Sequence, residues 1–330
     1  MLTYLLRRLL LAVITVWAIT VVTFIILRLP PGDFVDAYVA QASAMGTAIS
    51  AAEAAALRHA YGLDQSYLVQ YVKWLNLMVR GEFGTSFEYS RPVTEVIGDR
   101  LWLTMLLSFA AIVVTWVLAF PIGIYSAVRQ YSIGDYVFTF IGFIGLAVPS
   151  FLLALIVMYL GLRWFNLNLA GLFSPDYQLA PWSWGKLVDL LKHMPVPMLI
   201  LALPGIAQLV RIMRANLLDE LRRPYVVTAR ARGLAERRVI LKYPVRAALN
   251  PFASTIGYLL PQTVSGSIII SVVLSLPTVG PLLLHSLISQ DMLLGSTIIL
   301  LLGVLTVVGT LLSDLLLMWI DPRIRAGQLR

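Results

Sequence analysis

Residues 217–251 read LLDELRRPYVVTARARGLAERRVILKYPVRAALNP, a basic segment caught between two apolar runs. It carries Arg222, Arg223, Arg230, Arg232, Arg237, Arg238, Lys242 and Arg246 against Asp219, Glu220 and Glu236, eight positive charges to three negative. Hydrocarbon cannot hold such a block, and basic loops accumulate on the cytoplasmic side of a membrane. Two plain readings are that the arginines fix topology or lie on anionic headgroups. Ala229, Ala231 and Gly233 punctuate the segment in a helix-turn-helix pattern that neither reading requires. Gly233 suits the left-handed residue at a helix C-terminus, and Leu234, Ala235 and Glu236 can restart a helix. A short helix with small residues on one face, held out on a basic loop, is a shape another protein can grip.

Composition decides the setting of that loop. Of 330 residues, 59% are hydrophobic and 13% charged, with mean hydropathy +0.84, which describes a polytopic membrane protein. There is no cysteine, so disulfides and thiolate metal sites are excluded, and His59, His193 and His285 are far apart in sequence.

Working outward, apolar runs suggest six spans, at 9–29, 101–128, 136–160, 196–210, 252–276 and 292–320, each near the ~20 residues that cross a bilayer. Arg7 and Arg8 precede the first, and Leu27-Arg28-Leu29-Pro30-Pro31 follows it in place of a signal-peptide cleavage site, so the helix is expected to be retained. Pro121 should kink the second span by removing a donor, and Pro149-Ser150 interrupts the third. Residues 31–100 are the one long water-soluble stretch before the core and are expected to form a small external subdomain. Within it, 51–61 favours helix by propensity, Leu68, Tyr71, Val72, Leu75 and Met78 recur at helical spacing, and 81–86 reads as a turn. The expected partition is 1–30, 31–100 and 101–325. With both termini inside, sixteen of the 25 Lys and Arg and five acids fall on the cytoplasmic side, against nine and eleven outside. The basic character, with pI near 9.8, follows from topology and needs no nucleic-acid partner.

No G-x-x-x-x-G-K-[ST] phosphate loop is present. ATP-driven work would therefore need a separate polypeptide to hold the nucleotide and Mg²⁺. Thr263, Ser267, Ser271 and Ser275 fall every four residues and share one helix stripe, with Gln262 and Gly266 on the adjacent stripe. Such a stripe fits either the wall of a wet translocation path or close helix packing. Asp314, the one carboxylate inside an expected span, is either a structural group near the inner face or a proton relay.

The segment YVVTARARGL at 225–234 resembles the coupling loop of permease subunits of ABC importers, in the dipeptide, oligopeptide and nickel branch. Pro31-Gly32-Asp33, Gly62-Leu63-Asp64-Gln65, residues 81–86, Arg91-Pro92-Val93 and the stretch 314–325 are similar to the same branch, so the resemblance covers nearly the whole chain. It implies an all-α, type I importer permease fold with six transmembrane helices and a small extracytoplasmic subdomain. The coupling loop would dock Thr228, Ala229, Arg230, Ala231, Arg232, Gly233, Leu234 and Glu236 in a cleft of an ATPase, and Gln262, Thr263, Ser267 and Ser271 would border the path. It further implies a second homologous permease, two cytoplasmic ATPase subunits or domains, an extracytoplasmic solute-binding protein, and no cofactor bound by this chain. The expected cargo is peptides, with oligosaccharides or nickel chelates as the alternative. The pattern departs at Ser271, where many relatives have glutamate, at Leu276-Pro277-Thr278 for Trp-Pro-Gly, and at Pro224-Tyr225 for Asp-Tyr; an uncharged Ser271 suits a neutral solute better than an ammonium group. Secondary transporters and channels are the competing classes. The first calls for an inverted repeat and more buried charge, the second for no docking helix.

Overall fold

A computed structural model describes residues 2–249 and 252–320, and the regular structure among them is helical apart from an isolated bridge between Thr85 and Pro92. In chain order the helices are α1 Leu2–Arg28, α2 Phe34–Ala44, α3 Ala51–Ala60, α4 Tyr67–Val79, α5 Val93–Val128, α6 Ile133–Ala147, α7 Ser150–Phe165, α8 Pro175–Gln178, α9 Trp184–His193, α10 Pro195–Leu221, α11 Pro224–Ala231, α12 Glu236–Lys242, α13 Pro244–Ala248, α14 Phe252–Val273, α15 Val279–Ile288 and α16 Met292–Ile320. The described residues up to Trp102 pack with 278–308 as one compact unit, and those of 103–277 with those of 309–320 as another.

In the first unit, α2 opens with a reciprocal capping box. Asp36 N–H donates to Asp33 at 3.0 Å and Asp33 N–H to Asp36 at 2.9 Å, satisfying two donors that a helix start leaves free. Arg58 of α3 pairs with Asp33 at 2.9 Å, and that hydrogen bond raises its pKa. Phe24, Trp74, Met292 and Leu300 form one buried cluster, and Phe34, Val35 and Ala54 another. Asp291 is the polar anchor: it accepts from Leu294 N–H at 3.1 Å, from Glu88 N–H at 3.2 Å and from the Ser86 hydroxyl, capping α16 while holding the 86–88 turn. Burial raises its pKa, and these donors offset part of that rise. Gln290 donates to the Pro31 carbonyl at 3.1 Å. Residues 31–100 therefore share a unit with α1, α15 and the start of α16, where the sequence suggested a separate piece.

The second unit holds the larger core, around Leu107, Leu209, Met213, Leu217, Phe252 and Leu274. Helices α6 and α10 pack along each other, and a Cβ added at Gly142 would lie 3.6 Å from that of Ala207, so small residues let the axes approach closely. The loop before α10 is inside out. Lys186 of α9 is buried, donating to the Ala180 carbonyl at 2.6 Å with Phe173 and Trp182 rings 4.9 and 5.3 Å away, while Trp184 and Leu179 face outward.

Four helices among the described residues are long and apolar enough to cross a membrane: Leu6–Arg28, Val93–Val128, Pro195–Leu221 and Met292–Leu312. The expected third span is no straight rod, because the path bends by 112° between α6 and α7 across Val148 and Pro149, and the two count as a fifth only if taken together. Pro149 supplies no N–H and pushes Val148 out of the helical region, to φ −89° and ψ 125°. The expected fifth span is α14, 22 residues, of which the described apolar portion is the shorter Gln262–Val273. In α5 the non-helical residue is Gly98 rather than Pro121, which sits inside the helix.

Candidate functional site

Three short helices occupy the basic segment. Proline sits at the first position of α11 and α13, where its missing N–H costs no hydrogen bond. Helix α11 ends as Arg232 N–H donates to Thr228 O at 3.1 Å and Gly233 N–H to Arg230 O at 2.9 Å, with Gly233 at φ +76° in open space. This is the left-handed cap expected at that position. The chain then turns, and α12 starts at Glu236.

The turn between α11 and α12 is closed from within. Arg230 Nη2 donates to Glu236 at 2.7 Å and Nε at 3.1 and 3.2 Å, a fork-to-carboxylate pair. The pair raises the Arg230 pKa and lowers that of Glu236. Val226, Ala229 and Val239 form a small core under Leu234 and Tyr243. Tyr225 donates to Glu220, and its phenol is pushed up to about 12 by burial first and by that carboxylate second. The hairpin thus has its own core, its own ion pair and a fixed turn.

Three expected docking residues change character in this arrangement. Ala229, 6% exposed, belongs to the hairpin's interior, and Arg230 and Glu236 are committed to one another. Thr228, Ala231, Arg232 and Gly233 face outward, joined by Val227 at 57% exposure, a residue the sequence reading passed over. Its signal was available: an exposed valine one turn before Ala231.

A second feature lies among α5, α7, α10 and α14. A partly open recess of about 160 Å³ is lined by Thr115, Ser150, Pro204, Gly205, Gln262 and Gly266, with Thr263 beside them. The lining side chains include no ionisable group. Gln262 and Thr263 reach it, but Ser267 and Ser271, each 1% exposed, are packed inside. Ser267 returns its hydroxyl proton to the Val264 carbonyl at 2.6 Å. Ser267 and Ser271 of the four-residue stripe form a packing seam, while Thr263 and the adjacent Gln262/Gly266 stripe border the opening. Ser275 lies past the end of α14, at φ +50°. Asp314 is half-buried in α16.

A third feature ties α6 to α10. Arg214 donates from Nε to Asp135 Oδ1 at 3.0 Å and from Nη2 to Oδ2 at 2.9 Å, and Tyr131 N–H adds a third bond at 2.9 Å. Asp135 is 2% exposed. Sequence reading gave Arg214 only a topological role, since nothing local shows that its partner lies 79 residues away.

Comparison with known proteins fits these features. Residues 119–326 match the model of the "binding-protein-dependent transport system inner membrane component" family, and 1–108 match that of its N-terminal region. The oligopeptide transport system permease protein AppB of Bacillus subtilis is 34% identical over 325 residues, covering 97% of this chain and 98% of its own. The dipeptide transport system permease protein DppB of Lactococcus lactis is 31% identical, covering 98% and 100%. The peptidoglycan transport system permease protein YejB of Agrobacterium fabrum is 30% identical, covering 97% of each chain. A self-supported helical hairpin on an apolar helical body, matched along nearly its full length by these permeases, places the chain in the family of binding-protein-dependent transport system inner membrane components.

Proposed function

We propose that the chain forms half of the path of a peptide importer, paired with a homologous permease, and that α11–α12 is the handle by which two cytoplasmic ATPases drive it. The observation that carries this reading is the hairpin's construction. It stabilises itself through Val226, Ala229 and Val239 and through Arg230 and Glu236, while Val227, Thr228, Ala231 and Arg232 stay exposed. A loop that only counted charge for topology would need no core. In the proposed cycle, ATP binding closes the ATPases and the hairpin delivers that movement to α10. The path opens outward to take solute from a binding protein, and hydrolysis resets it. Coupling requires the solute-loaded partner to favour one of the two states.

Peptide cargo is supported by the printed names of the oligopeptide and dipeptide relatives. The uncharged lining of the recess suits amide groups better than ions. Both termini and the hairpin are assigned to the cytoplasm on the charge distribution.

The test is Ala231→Trp in the complex purified with its ATPase and solute-binding subunits. The bulky ring should abolish ATP hydrolysis stimulated by binding protein preloaded with a tryptic casein digest, with the permease still in the membrane. Full stimulation in this variant refutes the handle. Ala229→Glu is unsuitable, because it would break the hairpin from inside.

A further inference from the structure

We propose that Asp135 and Arg214 are a positioning pair that makes α6 and α10 move as one body, so that hairpin motion reaches the α7 lining of the recess as well as the α10 lining. The inference rests on the handle reading and goes beyond it. Arg214 lies seven residues before the end of α10, roughly 10 Å along a rigid helix from the hairpin. Pro204 and Gly205, which line the recess, lie some nine residues on its other side, about 13 Å along the axis. Pulling on α10 alone would shift that one wall.

Asp135 joins the α7 part of the lining to the same lever. It sits in the first turn of α6, where Ser132 caps the helix by accepting from Asp135 N–H at 3.3 Å. Helix α6 leads through the Val148–Pro149 elbow to Ser150 at the start of α7, which lines the recess beside the α10 residues. Two parallel charge-assisted bonds fix both distance and orientation, which one bond cannot do. Burial of the carboxylate excludes water that would otherwise compete for the guanidinium. The close approach at Gly142 and Ala207 supplies a second contact on the same helix pair, so the two axes are held at two heights.

The fork geometry predicts a graded series in the reconstituted complex with casein-peptide-loaded binding protein. Arg214→Gln should lose about tenfold of the stimulated ATP hydrolysis, within the usual range of coupling between sites, while basal hydrolysis persists. Arg214→Lys, a point charge without the fork, should fall between. The double reversal Asp135→Arg with Arg214→Asp should recover part of the loss. Retained stimulation in Arg214→Gln, with loss in Ala231→Trp measured alongside, overturns the pair and leaves the handle. Retention in both overturns both.

A second measurement joins the two helices independently of the pair. The chain has no cysteine, and a 3.6 Å Cβ separation at Gly142 and Ala207 fits a disulfide. Gly142→Cys with Ala207→Cys, oxidised, should leave transport unchanged and should restore coupling to Arg214→Gln until reductant is added. Transport blocked by the oxidised staple and released by reductant would mean that the helices slide past each other, and the proposal falls.

Discussion

At the scale of single residues, the hairpin separates two alanines that the sequence leaves equivalent. Ala229 and Ala231 have the same propensity and both adjoin Arg230, yet one is interior and the other exposed, because the fold of α12 back over α11 decides which face is covered. Gly233 was legible, since a left-handed cap is a local demand that glycine meets. Ala229's burial was not, since it depends on Val239 ten residues on. Arg230→Ala should therefore weaken the hairpin only mildly: both partners are well exposed, and exposed pairs are worth ~0.2–1 kcal/mol. Sign follows from Glu236, whose pKa is lowered on folding by the Arg230 hydrogen bond. Its contribution is fully present above the unfolded carboxylate range and is lost as pH falls through the lower folded value. Stimulated ATP hydrolysis should owe no pH dependence between 6 and 8 to this pair, measured as the ratio of wild type to Glu236→Gln across that range.

At the scale of elements, helix positions followed closely from propensity at α3, apolar spacing at α4 and apolar run length at α16. Which stripe of α14 meets open space did not, since periodicity groups Thr263, Ser267 and Ser271 without saying what packs over them. Gln262→Trp should fill much of the recess and stop peptide uptake while leaving the complex assembled, checked by transport beside size-exclusion of the purified complex. Ser271→Ala, in the seam, should leave uptake unchanged. Asp291 caps α16 while holding Ser86 and Glu88, so Asp291→Ala strands buried donors and should cost about 1–3 kcal/mol, read as a lower melting temperature in detergent.

At the scale of the molecule, charge placed the basic segment, and the full-length permease matches agree with the fold it implied. The grouping of 31–100 with α1, α15 and the start of α16 was not visible, because it rests on bonds such as Ser86 to Asp291 across 205 residues. Gly233→Cys should resist a membrane-impermeant maleimide in intact cells and react after permeabilisation; labelling in intact cells would invert the assigned orientation. The elbow between α6 and α7 carries a last consequence. At 15 and 16 residues, each arm is only about 22–24 Å long, short of a hydrocarbon layer ~30 Å thick. The vertex must then lie at depth, where the amides of Ser150, Phe151 and Leu152 have no turn before them to receive their protons. Deuterium should exchange at those amides sooner than in the helix interiors on either flank, carried by water in the recess that Ser150 lines.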